Sequence, residues 1–204
     1  MNQKWKIEAA HIARGYTCIA GVDEVGMGCL AGPVVAAAVI LNPKDIPEGI
    51  DDSKKLTPKK REQLSGEIKA RALAFSIAQA SVEEIDTINI YHAAKLAMKR
   101  AIENLRLKPD FVLMDGRGTL DIVVPHEAIV KGDSLSLSIG AASIVAKVTR
   151  DAWMEEYDIS IPGYGFSKHK GYGSVFHRQC LMEKGPSIIH RKSFSWTPVS
   201  ADSF

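Results

Sequence analysis

Residues 18–41 read CIAGVDEVGMGCLAGPVVAAAVIL. An apolar run of strand character carries Asp23 and Glu24 at its end, a turn over Gly26, Met27 and Gly28 follows, and a wholly apolar second run leads away. Acids interrupt β pairing and are costly to bury unless paired or bound to a cation. Their position therefore has two explanations, a strand end that reaches solvent or a site. The pattern returns later in the chain. Residues 111–114, FVLM, form a short strand that delivers Asp115 to the glycine turn of MDGRG. The C-terminal edge of an α/β sheet is where such folds place ligands.

Composition sets the outer limits. A chain of 204 residues with 46% apolar content is long enough for one generous domain with an ordinary core. The longest apolar run, residues 30–41, contains Gly32 and Pro33 and falls short of the roughly 18 to 20 residues that cross a bilayer. The opening MNQKWKIEAAHIARG reads as an amphipathic helix without a signal-peptide core. Cys18, Cys29 and Cys180 have no metal-ligand spacing and fit reduced thiols, so the expectation is a cytoplasmic protein with no membrane attachment. Cys29 reads as a small packed thiol, with a nucleophile as the weaker alternative because no basic residue adjoins it. A net charge of +2 draws a polyanion only weakly, so nucleic-acid binding needs local patches. Three stand out: Lys54, Lys55, Lys59, Lys60 and Arg61; Lys168, His169 and Lys170; and His190, Arg191 and Lys192.

In chain order, strands are expected over residues 17–23, 34–41 and 73–80, joined as an antiparallel meander. Thr57 and Pro58 cap a helix over residues 58–70. Ser81 with Glu84 forms a capping box for a short helix ending near Asn89, and a longer helix follows to Leu105. Strand-like pieces cover residues 121–124 and 127–131. Asp133 and Ser134 are read as the cap of a buried helix over residues 139–148. The run GYGFSKHKGYG, residues 163–173, is a loop of glycines, aromatics and cations: a structural turn or a clamp on a nucleic-acid backbone. Ser174 caps a last helix ending near Gly185, and the tail from Trp196 to Phe204 is expected to fray.

Asp23, Glu24, Asp115 and Asp133 arrive from separate segments that can converge on one sheet edge. Clustered carboxylates raise one another's pKa values or share cations, and all-oxygen ligands suit Mg²⁺ or Mn²⁺. Two such ions about 3.5 to 4 Å apart activate water and stabilise a leaving oxygen in phosphodiester cleavage. The chemistry expected is that of a metal-dependent nuclease. Asp121, Glu127 and Asp151 compete for membership, although Asp151 follows Lys147 at helical spacing.

The ordered motifs GVDEVGMG, AGPVVAAAV, DDSKKLT, LMDG, KGD, AASIVAKVTRD, HKGYG and HRKSF, spread over nearly the whole chain, resemble bacterial ribonuclease HII. The resemblance implies an α/β ribonuclease H-like fold, a mixed sheet flanked by helices over residues 1–158, followed by a helical C-terminal part over 159–204. It implies hydrolysis of RNA in RNA:DNA hybrids and cleavage 5′ of ribonucleotides embedded in duplex DNA, leaving 3′-hydroxyl and 5′-phosphate ends. Two divalent ions, Mg²⁺ or Mn²⁺, would be held by Asp23, Glu24, Asp115 and Asp133. It further implies a monomer acting in DNA replication and ribonucleotide excision repair. Gly26, Met27 and Gly28 match the family's Gly-Arg-Gly turn, which senses the 2′-hydroxyl, and Tyr172 matches its junction-stacking tyrosine. Met27 replaces the arginine and Cys29 a usual proline, so junction preference is open, and a hybrid-only enzyme or a non-cleaving hybrid-binding protein are the alternatives. Lys54 and Lys170 are the expected phosphate contacts.

Overall fold

The computed structural model describes residues 3–196. Five strands form one sheet in the order β3-β2-β1-β4-β5: β1 is Ile19–Val25, β2 Val34–Ile40, β3 Ala74–Ala80, β4 Phe111–Asp115 and β5 His126–Ile129. β1, β2 and β3 are antiparallel neighbours, whereas β4 runs parallel to both β1 and β5. A turn over residues 26–33 joins β1 to β2, whereas residues 41–73, which include a helix, join β2 to β3, so the expected meander is interrupted by a helical connection; the parallel pairing of β1 with β4 needs a long crossover.

The helices are α1 (Lys6–Ala13), α2 (Pro58–Arg71), α3 (Val82–Glu103), α4 (Gly132–Leu135), α5 (Leu137–Ser160), α6 (Phe166–His169) and α7 (Val175–Lys184). Strand alternation sends β1 and β2 residues to two cores. Ala20, Val22, Val34, Ala36, Ala38 and Ile40 pack against Ala97, Met98 and Ala101 of α3. Ala37 and Val39 pack against α5 and against Leu64 and Ile68 of α2. The same alternation turns Asp23 toward α5 and Glu24 toward α3. α5 lies so close to β1 that a side-chain carbon at Gly21 would stand 2.1 Å from the Ser138 carbonyl carbon, so only glycine fits there.

Several expectations hold in detail. Thr57 accepts from the Lys60 N–H with Pro58 opening α2, and the Ser81–Glu84 capping box is complete. Asn89 breaks α3 with φ 64° and ψ 164°, where the two expected helices meet.

Other expectations are corrected. Residues 121–124 form no strand: Pro125 has no N–H to give, Val123 is fully exposed, and pairing with β4 starts only at His126. Ser136, not Asp133 or Ser134, caps α5 by accepting from the Ile139 N–H; Asp133 lies in the short α4. The loop at 163–173 contains the helical turn α6, and α5 runs past the expected boundary at residue 158 to Ser160. Of the tail expected to fray, residues 197–204 lie outside the described residues.

The third basic patch is largely internal. His190 and Arg191 are buried, and only Lys192 is exposed.

Candidate active site

β1 and β4 are parallel and in register from Ile19↔Phe111 to Val22↔Met114, so the next residues, Asp23 and Asp115, emerge side by side. The Asp115 carboxylate accepts a 2.6 Å hydrogen bond from the Gly132 N–H, which brings α4 and Asp133 to the same end of the sheet. The convergence shows electrostatically. Burial pushes Asp23 well above the usual carboxylate range, and the charges of Glu24 and Asp115 push it further, against a hydrogen bond from the Glu24 N–H at 2.8 Å. Burial followed by Asp115 raises Glu24 to about 7. Asp133 is raised by burial and then by Asp115 and Asp52. The cation that opposes both Glu24 and Asp133 is the exposed Lys54.

The rival acids are committed elsewhere. Asp121 pairs with Lys99 at 2.7 Å, Glu127 with His11 at 3.0 Å and Asp151 with Lys147 at 2.6 Å.

The donor set is four carboxylates, three of which, Asp23, Glu24 and Asp133, are raised by burial and by neighbouring acids, and such an all-oxygen set suits a hard divalent cation. Among the described residues no three such side chains already enclose a metal position. Mg²⁺ keeps waters and takes only one or two carboxylates together with substrate phosphates, so an open arrangement accommodates it.

Beside the acids stands the glycine turn. Gly26 has φ 100°, and a side-chain carbon there would fall 2.3 Å from Arg150 Nε. Two buried arginines hold the turn and the segment after it. Arg191 donates to the carbonyls of Gly26 (2.7 Å), Met27 (2.9 Å) and Gly32 (2.8 Å). Arg150 donates to Pro33 and Ala31, each at 3.0 Å, and to Lys170 at 2.8 Å. Burial lowers the Arg191 pKa to about 10, still well above neutrality.

The same network carries Tyr172, which is 44% exposed. Cys29 bridges to Tyr172, and the Leu30 N–H donates to the Gly171 carbonyl at 2.8 Å. Behind it, the Ser187 N–H donates to His190 Nδ1 at 2.8 Å, leaving the proton on His190 Nε2. His190 then donates to His177 Nε2 at 3.0 Å, and His177 Nδ1–H donates to the Tyr172 carbonyl at 2.8 Å. Burial holds both imidazoles at about 4, so this chain is neutral at pH 7.

A family model described as "Ribonuclease HII" matches residues 20–197. The chain belongs to the ribonuclease HII family. It is 54% identical over 196 residues to ribonuclease HII of Myxococcus xanthus, covering 96% of this chain and 67% of that one. The Paracidovorax citrulli ribonuclease HII is 53% identical over 197 residues, covering 96% and 81%. The Archaeoglobus fulgidus ribonuclease HII solved in complex with PCNA superposes with a TM-score of 0.76 at 27% identity, over 92% of this chain and 100% of that one. The fold is thus that of the ribonuclease H group, and the protein is an endonuclease of ribonuclease H type.

Against the expected site residues, the structure brings Asp23, Glu24, Asp115 and Asp133 together, with Lys54 facing two of them. It ties Gly26, Met27 and Tyr172 into one scaffold, while Gly28 is exposed with nothing near its Cα face. Lys170 is engaged with Glu155 at 2.5 Å. Sequence reasoning missed Asp52, Ser143 behind Asp23, and the two buried arginines. Asp52 had a signal in DDSKKLT; Arg191 stood in an expected basic patch, and Arg150 carried no local signal.

Proposed function

We propose that the protein hydrolyses RNA in RNA:DNA hybrids and cuts 5′ of ribonucleotides embedded in duplex DNA, with two divalent ions, Mg²⁺ or Mn²⁺, held among Asp23, Glu24, Asp115 and Asp133. The observation that carries this reading is the convergence of four carboxylates on one sheet end, where Asp115 follows the β1–β4 register beside Asp23, bonds Gly132 next to Asp133, and adds to the effect of burial in raising Asp23, Glu24 and Asp133. Such a cluster is a preformed field for cations. When bound, the ions supply water activation and stabilisation of the leaving oxygen.

The chain's own groups do the rest. Asp115 is oriented by the Gly132 N–H, and Asp23 by the Glu24 N–H, so neither needs to reorganise. The turn backbone at Gly26, Met27 and Gly28 faces the 2′-hydroxyl, and Tyr172 stacks at the junction, both held by the arginine and histidine networks. Lys54 tempers the acids and meets phosphate; Lys170 contacts phosphate by exchanging Glu155 for it. Residues 159–204 act as the substrate-binding part of one continuous unit with residues 1–158. A monomer in the reducing cytoplasm suits the free thiols, and no helix among the described residues is long and apolar enough to cross a membrane.

One observation favours a second reading, a hybrid-only enzyme with weak junction preference: Met27 brings no guanidinium to the turn. The test is cleavage of two end-labelled substrates, a DNA duplex with one ribonucleotide and a continuous RNA:DNA hybrid, with Mg²⁺ and with Mn²⁺, beside Asp115→Asn. Cutting of the first just 5′ of the ribonucleotide, lost in the variant, is the expected result. Cutting of the hybrid alone supports the second reading, and binding without cutting of either overturns both.

A further inference from the structure

On the α3 side of the acids lies a cavity of about 120 Å³ whose lining includes Glu24, Met27, Tyr91, Lys95, Asp115 and Arg117. Its floor is apolar, because Met27 packs onto the cluster that contains Met98 and Met114. Its other wall is cationic. Lys95 rises from α3 with Nζ 4.4 Å from the Tyr91 ring centroid, and Arg117 stands exposed on the bend after β4. The bend that carries Arg117 packs against α3: a side-chain carbon at the next residue, Gly118, would stand 3.1 Å from both Lys95 Nζ and Tyr91 Oη.

Like Lys54, and unlike several other cations, these two have no carboxylate of their own. Lys99, Lys147 and Lys170 are engaged with Asp121, Asp151 and Glu155. Lys95 and Arg117 form no ion pair with any described residue. The cation that tempers Glu24 is Lys54. A polyanion nearing four clustered acids meets repulsion, and a free guanidinium at their edge offers the fork of donors that suits a phosphate.

We propose that Arg117, supported by Lys95, binds a backbone phosphate of the nucleic-acid strand beside the acids, supplying from the β4 bend the guanidinium that Met27 does not supply from the turn. The proposal rests on the substrate class given above. Because Met27 and Arg117 line one cavity, an arginine at position 27 would take over the contact that Arg117 makes, and the two positions are coupled.

The experiment measures equilibrium binding of a DNA duplex with one ribonucleotide across a salt series, together with its cleavage kinetics. The proteins are wild type, Arg117→Ala, Arg117→Lys, Lys95→Ala, Met27→Arg and the double variant Met27→Arg with Arg117→Ala. Arg117→Ala is expected to weaken binding and raise KM about five- to tenfold, with kcat changed less than about twofold. Its slope of log K against log salt falls in magnitude by about 0.9, one phosphate contact. Arg117→Lys keeps the slope, Lys95→Ala shows a smaller loss than Arg117→Ala, and Met27→Arg improves the Arg117→Ala protein more than it improves wild type. Unchanged affinity and slope in Arg117→Ala, or strict additivity of positions 27 and 117, would overturn the proposal. A wild type that binds but does not cut overturns the cleavage reading while the slope still decides the role of Arg117. A wild type that does neither overturns both.

Discussion

The carboxylate wall of the site and its turn-and-tyrosine wall are held by different forces. Asp23, Glu24 and Asp115 sit on adjacent strand ends, Asp133 is brought to them by the Gly132–Asp115 hydrogen bond, and the acids repel one another, so their geometry comes from the sheet and α4 while their charge works against it. The turn and Tyr172 are joined by hydrogen bonds between distant segments, in which buried arginines satisfy carbonyls and neutral histidines hold the loop. One wall is electrically loaded and structurally replaceable; the other is electrically quiet and structurally critical. Substitutions in the two should therefore separate activity from stability.

The largest effect is expected on the acid side. Asp115→Asn keeps an oxygen to accept the Gly132 N–H but removes the charge, so cleavage should fall about 10²- to 10³-fold, the scale of losing one preorganised electrostatic group. Its melting temperature should stay level or rise, because a repulsive charge has gone. A variant that unfolds instead would show that Asp115 holds the sheet end together.

Arg191→Met is the mirror case. It preserves the stem but leaves the carbonyls of Gly26, Met27 and Gly32 without their donor. Each orphaned buried carbonyl costs about 1 to 3 kcal/mol, so a loss of about 3 kcal/mol in chemical denaturation is expected. Activity should fall through a misplaced turn. Full stability would mean that water replaces the guanidinium.

These two arginines also mark the limit of what the chain reveals unfolded. Asp23, Glu24 and Asp115 were legible because a strand followed by a glycine turn is a local pattern, and the break at Asn89 was legible because two helix starts and one stop can be read in a row. Asp133 was not, since an acid before a serine looks like a cap until Gly132 is seen to bond Asp115. Arg191 reads as part of a basic patch and Arg150 draws no reading of its own, because partners of theirs lie 165 and 117 residues away. Local pattern reports what a residue does for its neighbours, and these two serve carbonyls far along the chain.

The walls should also respond oppositely to pH. Asp23, Glu24 and Asp133 have raised folded pKa values, so the stability they contribute is present below the unfolded carboxylate range and is lost as pH rises, for Glu24 from 4.5 through about 7. His177 and His190 have lowered values, so their contribution is present above 6.5 and is lost as pH falls toward about 4. In metal-free protein the two slopes oppose each other. Glu24→Gln should expose the histidine slope as a steeper rise of melting temperature with pH between these values. Added Mg²⁺ should stabilise wild type most at the upper end, where the acids are charged. An identical profile in Glu24→Gln would show that this carboxyl titrates near its ordinary value.

The smallest expected effect concerns Cys29, where the sequence resemblance implies a proline. Its N–H reaches the Gly26 carbonyl only at 3.4 Å, and its thiol lies 3.7 Å from the Lys170 carbonyl, both weak contacts. Cys29→Pro gives up that N–H and gains about 0.4 to 1 kcal/mol from a stiffer unfolded chain, so the terms nearly cancel. The melting temperature should move by less than about 4 °C, and preference for the embedded ribonucleotide should be unchanged. If the preference shifts while stability does not, the thiol itself sets the position of Tyr172. The quiet wall would then depend on a side chain as well as on the backbone and arginine network.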